Sequence, residues 1–133
     1  MKCFVDSSAW IALADRTDQY HLQASAFLRQ LSASDLLHTS NYVLAETITR
    51  LRRTAGHHVA VRWAEDCRKS HLLHIHYGDQ EVDDAALQIF KKYADQELSF
   101  VDCASMALME RLNIERIFAF DEDFRKSGFL LVP

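Results

Sequence analysis

The chain has 133 residues, of which 49% are hydrophobic, and a formal net charge of −4. That is enough for one domain with its own apolar core, which we expect to span residues 1–133. Only 3 glycines and 1 proline occur, which excludes low-complexity linkers and a fold built from many tight turns. Cys3, Cys67 and Cys103 are widely spaced and form no C-x-x-C pair, so we expect buried, reduced thiols.

The N-terminal segment lacks the pattern of a secretion signal, because Asp6, Asp15 and Arg16 interrupt its apolar residues. No apolar run approaches the ~20 residues that a membrane-spanning helix needs. We therefore expect a cytoplasmic protein that has no membrane contact.

The mildly acidic charge counts against a general nucleic-acid binder. A local basic run nevertheless lies in the middle of the chain, and its simplest interpretation is a solvated helix face. Its members are Arg50, Arg52, Arg53, His57, His58 and Arg62.

In chain order, short apolar segments that favour strands alternate with segments whose apolar residues recur at helical spacing. The predicted strands are residues 3–5, 35–38, 73–77, 114–120 and 129–132. The predicted helices are centred on residues 9–13, 24–31, 44–51, 59–67, 82–93 and 104–112, and Ser7 or Ser8 is the expected cap of the first. This alternation predicts a parallel sheet with helices on both faces.

Four carboxylates occupy unusual positions in this pattern. Asp6 and Asp121 directly follow predicted strands, where sheets of this kind bind ligands. Glu46 lies among apolar helical residues, and Asp102 lies at the head of an apolar helix. Each alone has a structural interpretation: Asp102 as a helix cap, Asp121 as a turn residue, and Glu46 as the i,i+4 partner of Arg50.

Taken together, the four acids indicate a metal site. Carboxylates that share a site repel one another unless a cation neutralises them. Hard oxygen ligands without Cys or His suit Mg²⁺ or Mn²⁺, and such a cation can promote phosphodiester hydrolysis. Arg50 and Arg53 lie one and two turns beyond Glu46, and we predict that they hold RNA phosphates.

Four segments resemble, in order, the acidic motifs of PIN-domain ribonucleases. They are F-V-D-S-S-A-W-I-A-L at residues 4–13, L-A-E at 44–46, L-S-F-V-D-C-A-S-M-A-L at 98–108 and F-A-F-D-E-D-F at 118–124.

This resemblance implies an α/β fold, a three-layer α/β/α sandwich with a central parallel sheet. It implies that Asp6, Glu46, Asp102 and Asp121 are metal-binding and catalytic acids for Mg²⁺ or Mn²⁺, and that Ser7 supports them. It also implies an endoribonuclease that cuts single-stranded or loop RNA. A chain of this length is similar to the VapC-type toxins of type II toxin–antitoxin pairs, which implies a homodimer silenced by a cognate antitoxin.

Two positions depart from the family pattern. Ala119 stands where many relatives carry a Thr or Ser hydroxyl. Asp123 competes with Asp121 as the fourth ligand, and we favour Asp121 because it follows the strand directly.

Three alternatives stay open from the sequence. One is a non-catalytic PIN-like module that binds RNA or a protein partner, which the missing hydroxyl at Ala119 favours. Another is a receiver-like phosphoacceptor, although Lys126 is its only candidate lysine. The third is a zinc site among His71, His74 and His76, for which solvated strand-end histidines are the simpler interpretation.

Overall fold

The computed structural model describes residues 1–133, and they form five strands and seven helices. The strands are β1 (Lys2–Val5), β2 (Leu36–Ser40), β3 (Leu73–His76), β4 (Arg116–Phe118) and β5 (Leu130–Val132). The helices are α1 (Ser7–Ala14), α2 (His21–Gln30), α3 (Asn41–Thr54), α4 (His57–Lys69), α5 (Gln80–Lys92), α6 (Phe100–Arg111) and α7 (Asp123–Lys126).

All five strands are parallel and lie in the order β3-β2-β1-β4-β5, which confirms the predicted parallel sheet. The chain steps outward from β1 to β3 and then returns past β1 to β4. Because such crossovers are right-handed, α1 to α4 cover one face and α5 and α6 the other, which gives the three-layer α/β/α sandwich. The reversal leaves a crevice beyond the carboxyl ends of β1 and β4.

The core lies on both faces of the central strands. Phe4, Val5, Ile117 and Phe118 are buried completely, and they belong to a single cluster of 22 buried residues. The three cysteines are free and buried, as expected. No helix has the length and apolar character that crossing a bilayer would need.

The cap of α1 differs from the prediction. Asp6, and not Ser7 or Ser8, is the N-cap, because its carboxylate accepts a hydrogen bond from the Ser8 backbone N–H. The helix therefore begins at Ser7, two residues earlier than its apolar pattern indicates. This local turn fixes the direction of the Asp6 side chain.

The sequence places Phe90 and Phe100 at spacings typical of core residues and so predicts that they pack inside, but both lie at the surface. Phe90 on α5 is 46% exposed and Phe100 on α6 is 37% exposed, and their ring centroids are 6.4 Å apart. Trp10 has the same kind of spacing and is buried, and its indole N–H donates to the Thr39 hydroxyl. Helical spacing identifies a face but does not say how deeply a residue near its edge is buried.

A histidine from another strand joins two of the three noted in the sequence. His38 on β2 is buried beside His74 and His76 on β3, and its Nδ1 lies 2.9 Å from Nε2 of His76. The ring of His38 stacks on those of His74 and His76 with centroids about 5 Å apart, and the contact between His38 and His76 occupies one ring nitrogen of each. His71 is exposed before β3.

The buried imidazole should make the fold sensitive to acid. Burial, and then the charges of His76 and His74, lower the pKa of His38 from 6.5 to about 4. The unfolded chain therefore takes up this proton at higher pH than the folded one, so the free energy of unfolding falls as the pH drops from 6.5 toward 4. We expect a loss of about 1–2 kcal/mol at pH 5 that His38→Leu removes, measured by urea unfolding.

His71→Ala is the matched control for this experiment, since His71 is exposed. If the free energy of unfolding of His38→Leu falls by the same amount at pH 5, groups other than His38 cause the loss.

Candidate active site

An acidic pocket of about 490 Å³ opens at the carboxyl end of the sheet, and all but three of its lining residues are polar or charged. Asp6, Glu46, Asp102 and Asp121 all line it. Four carboxylates, from the residue after β1, from α3, from α6 and from the segment after β4, therefore share one cavity. The structure brings together the four favoured acids and leaves their rival Asp123 outside the pocket.

Asp6 lies deepest, at 3% exposed. Its backbone N–H donates to the carbonyl of Phe118 on β4, and its Oδ2 accepts from the Ser8 hydroxyl at 2.7 Å. The same hydroxyl oxygen accepts a hydrogen bond from the backbone N–H of Phe120 at 3.1 Å. Ser8 thus connects Asp6 to the segment after β4, while Asp6 Oδ1 is buried without a hydrogen-bond partner.

Glu46 projects from α3, where the Ser40 side chain caps the helix by accepting from the Val43 N–H. Its Oε1 lies 3.6 Å from the Arg50 guanidinium, which confirms the predicted i,i+4 pair. Its Oε2 is buried and has no partner. The pocket therefore contains two orphaned carboxylate oxygens, one from Asp6 and one from Glu46.

Asp102 is held by the first turn of α6. Ser99 and Asp102 form a capping box, in which the Ser99 hydroxyl accepts from the Asp102 N–H and Asp102 Oδ2 accepts from the Ser99 N–H. Both bonds are 3.1 Å long. The cap uses one carboxylate oxygen, so Oδ1 is the one free for another ligand.

Asp121 and Asp123 occupy different places. Asp121 lines the pocket, and its Oδ1 accepts from the Asp123 backbone N–H at 3.0 Å. Asp123 is the first residue of α7, lies 3.9 Å from Lys126 and does not line the pocket. This placement supports Asp121 as the fourth acid, with Asp123 on the outer side of the turn.

The electrostatics of the pocket are unfavourable to its own carboxylates. Burial raises the pKa of Asp6, and the negative charge of Asp121 raises it further. Burial and then the Asp6 charge raise the pKa of Glu46, and the same two causes raise that of Asp102 to about 7. These groups are therefore costly to ionise together without a cation.

The donor set fits a hard divalent cation. The pocket presents carboxylate oxygens and no Cys or His side chain. One buried oxygen of Asp6 and one of Glu46 have no hydrogen-bond partner, and a bound cation could take that place. No three of these side chains form a ready-made coordination shell.

Of the residues predicted to support the acids or to bind RNA, some line the pocket and one does not. Arg50 lines the pocket, whereas Arg53 lies exposed on α3 outside it, so only one of the two predicted phosphate contacts lies there. Ser7 also lines the pocket, and its side chain partly lowers the pKa of Glu46. Sequence reasoning overlooked Ser8, which no motif distinguishes from Ser7.

Two aromatic residues were also overlooked. Tyr20 and Phe120 line the pocket beside the acids. Phe120 immediately precedes Asp121, and that adjacency was the only signal available in the sequence.

Comparison with known proteins identifies the family to which this chain belongs. The PIN domain model matches residues 3–130 of this chain. A VapC ribonuclease of Archaeoglobus fulgidus is 25% identical over 127 residues, which cover 93% of this chain and 80% of that protein. A solved complex, VapBC2 of Rickettsia felis, has a TM-score of 0.74 at 10% identity and covers 99% of this chain and 98% of its own, which shows the fold alone.

A stronger match is VapC20 of Mycobacterium tuberculosis, a 23S rRNA-specific endonuclease. It is 36% identical over 129 residues, 97% of this chain and 96% of that protein. Its crystal structure, described as that of a sarcin-ricin loop cleaving toxin, has a TM-score of 0.90 at 34% identity and covers 96% of both chains. The chain therefore belongs to the PIN-domain family, and within that family to the VapC group.

Neutralising one acid should stabilise the protein when no divalent cation is added. Folding raises the pKa of Asp102 from 3.8 to about 7, so its ionisation opposes folding above pH 7, and this penalty disappears as the pH falls toward 4. We expect Asp102→Asn to raise the free energy of unfolding by about 1–3 kcal/mol at pH 8 and by much less at pH 4.5, measured by urea unfolding. The Asn carbonyl can keep the bond to the Ser99 N–H.

Asp84→Asn, on the exposed face of α5, is the control and should change stability little at either pH. A destabilised Asp102→Asn variant at pH 8 would contradict the repulsion in the pocket.

Proposed function

We propose that this protein is a metal-dependent endoribonuclease that hydrolyses RNA phosphodiester bonds. The observation that carries the proposal is the pair of buried, unpartnered oxygens, Asp6 Oδ1 and Glu46 Oε2, in one acidic pocket. Membership of the PIN family and 36% identity to a 23S rRNA-specific endonuclease support RNA as the substrate. Family membership also disfavours the receiver-like alternative, and Lys126 does not line the pocket.

Asp6, Glu46 and Asp102 would hold the cation, with Asp121 as the fourth acid. When bound, Mg²⁺ or Mn²⁺ lowers the pKa of water and stabilises negative charge on the phosphodiester. Ser8 keeps Asp6 in one orientation by donating to its Oδ2, and the Ser99 cap does the same for Asp102. Both carboxylates therefore enter the reaction preorganised, with one oxygen fixed and one available.

Arg50 would contact the substrate phosphate. Its guanidinium lies 3.6 Å from Glu46 at the pocket and is about half exposed, so it can turn toward an incoming anion. Arg53 would act only at longer range along α3. The phosphate would thus lie between the acids and one arginine.

We also propose that the chain is the toxin of a type II toxin–antitoxin pair, acting as a homodimer and silenced by a cognate antitoxin. The relative VapC20 is described as a toxin, and solved VapBC complexes share this fold. An antitoxin that blocks the acidic pocket would neutralise the chain directly.

Purified protein should cut RNA in the presence of Mn²⁺, and Asp6→Asn should lower the rate by roughly 100-fold or more. Asn is also a good N-cap, so the fold should persist. Mn²⁺ should raise the melting temperature of the unmodified protein but not of Asp6→Asn. The assay follows cleavage of a 23S rRNA fragment by gel electrophoresis, with Asp84→Asn as the matched control.

Equal cleavage by the Asp6→Asn protein, or cleavage that EDTA leaves unchanged, would exclude the proposed mechanism. If the protein binds RNA without cutting it, and neither EDTA nor Glu46→Gln changes that binding, the result would instead favour the non-catalytic module.

Induced expression in a bacterial host should arrest growth if the chain is a toxin. Expression of Asp6→Asn at the same level should not, because the proposed arrest depends on cleavage. The measurement is colony formation after induction, with and without co-expression of the gene directly upstream. Equal arrest by both proteins would contradict a toxic nuclease activity.

A further inference from the structure

The acidic pocket has one aromatic wall. The rings of Tyr20 and Phe120 stack with their centroids 4.4 Å apart and an interplanar angle of 2°, and both residues line the pocket with the carboxylates. They come from opposite ends of the chain, from the N-terminal end of α2 and from the segment after β4. The stack is therefore built by the tertiary fold.

Phe120 is tied to the residues that hold Asp6, and Tyr20 is fixed by the turn that begins α2. The Phe120 backbone N–H donates to the Ser8 hydroxyl, which in turn donates to Asp6. The Tyr20 backbone N–H donates to Asp18 Oδ1 at 2.8 Å, and its carbonyl accepts from the Ala24 N–H in α2. The aromatic wall thus has a fixed position relative to Asp6.

The stack ends at Tyr20, which no second aromatic ring covers. Phe120 contacts Tyr20 and also Phe118, whose centroid is 6.1 Å away, so it is partly buried between two rings. Tyr20 has only Phe120 as an aromatic neighbour and is 36% exposed. An exposed, flat ring beside four carboxylates contributes little to the core, but it suits a planar ligand that continues the stack.

We propose that Tyr20 is a stacking platform for a nucleobase of single-stranded or loop RNA next to the cleaved phosphate. This inference rests on the proposed function, because the RNA phosphate at the acids and Arg50 brings a flanking base against the wall of the same pocket. Stacking is also a neutral attraction, so it operates where the surrounding carboxylates repel the RNA backbone.

The test measures binding and cleavage separately. A 12-nucleotide single-stranded RNA carrying one 2-aminopurine is titrated into protein with all four acids intact, in Ca²⁺ instead of Mn²⁺ and at low temperature to limit cleavage, and quenching of the base fluorescence reports stacking. Under the same conditions, Tyr20→Ala should weaken binding roughly 5- to 150-fold and abolish the quenching. Tyr20→Trp and Tyr20→Phe should keep both, whereas Tyr20→Leu should lose the quenching although it keeps apolar bulk.

In the cleavage assay with Asp6 intact, Tyr20→Ala should raise KM by the same factor with a smaller change in kcat, because the contact serves binding. Tyr77→Ala removes another exposed tyrosine, outside the pocket, and is the matched control.

The outcomes separate the two proposals. If the unmodified chain cuts RNA while Tyr20→Ala and Tyr20→Leu bind and quench normally, the platform is wrong and the nuclease assignment stands. If the unmodified chain neither binds nor cuts RNA, the proposed function fails and the platform with it. If Tyr20→Ala unfolds, Tyr20→Leu decides, since unchanged quenching in that variant overturns the platform.

Discussion

The burial of neighbouring carboxylates in one pocket is the constraint on which the rest of this structure depends. Burial first, and then the charge of a neighbouring carboxylate, raise the pKa values of Asp6, Glu46 and Asp102. Such an arrangement persists only if the surrounding structure fixes the orientation of these side chains. The anchors are local: a helix cap at Asp6, an ion pair at Glu46 and a capping box at Asp102.

The strand order explains why these anchors meet. Because the chain returns from β3 past β1 to form β4 beside it, the residue after β1 and the segment after β4 become neighbours although more than a hundred residues separate them. The Asp6 N–H to Phe118 carbonyl bond and the Ser8 to Phe120 bond tie the two segments together. The same crevice therefore receives acids from both ends of the chain, and α3 and α6 supply the remaining two.

Much of this was readable from the sequence, because buried parallel strands and amphipathic helices leave periodic patterns. The five strands, the parallel sheet and the four acids of the pocket follow from those patterns and from the PIN-domain motifs. Contacts that depend on strand register could not be predicted from the sequence. The contact between His38 and His76, for example, exists only because of the register of β2 and β3. In the same way Ser8 and Ser7 look alike in the sequence, and only their place on α1 distinguishes the one that bonds to Asp6.

The charge of the pocket limits how this chain can bind RNA. Arg50 is the one arginine that lines it, and Glu46 already neutralises part of its charge, while the remaining basic residues of α3 and α4 lie outside. A protein with few phosphate contacts gains little affinity from the release of counterions. Under the proposed function, the binding energy would then come from a cation held by the acids and from contacts that carry no charge. The partly exposed ring of Tyr20 would supply such a contact in the pocket, so an acidic chain could bind RNA without a broad basic surface.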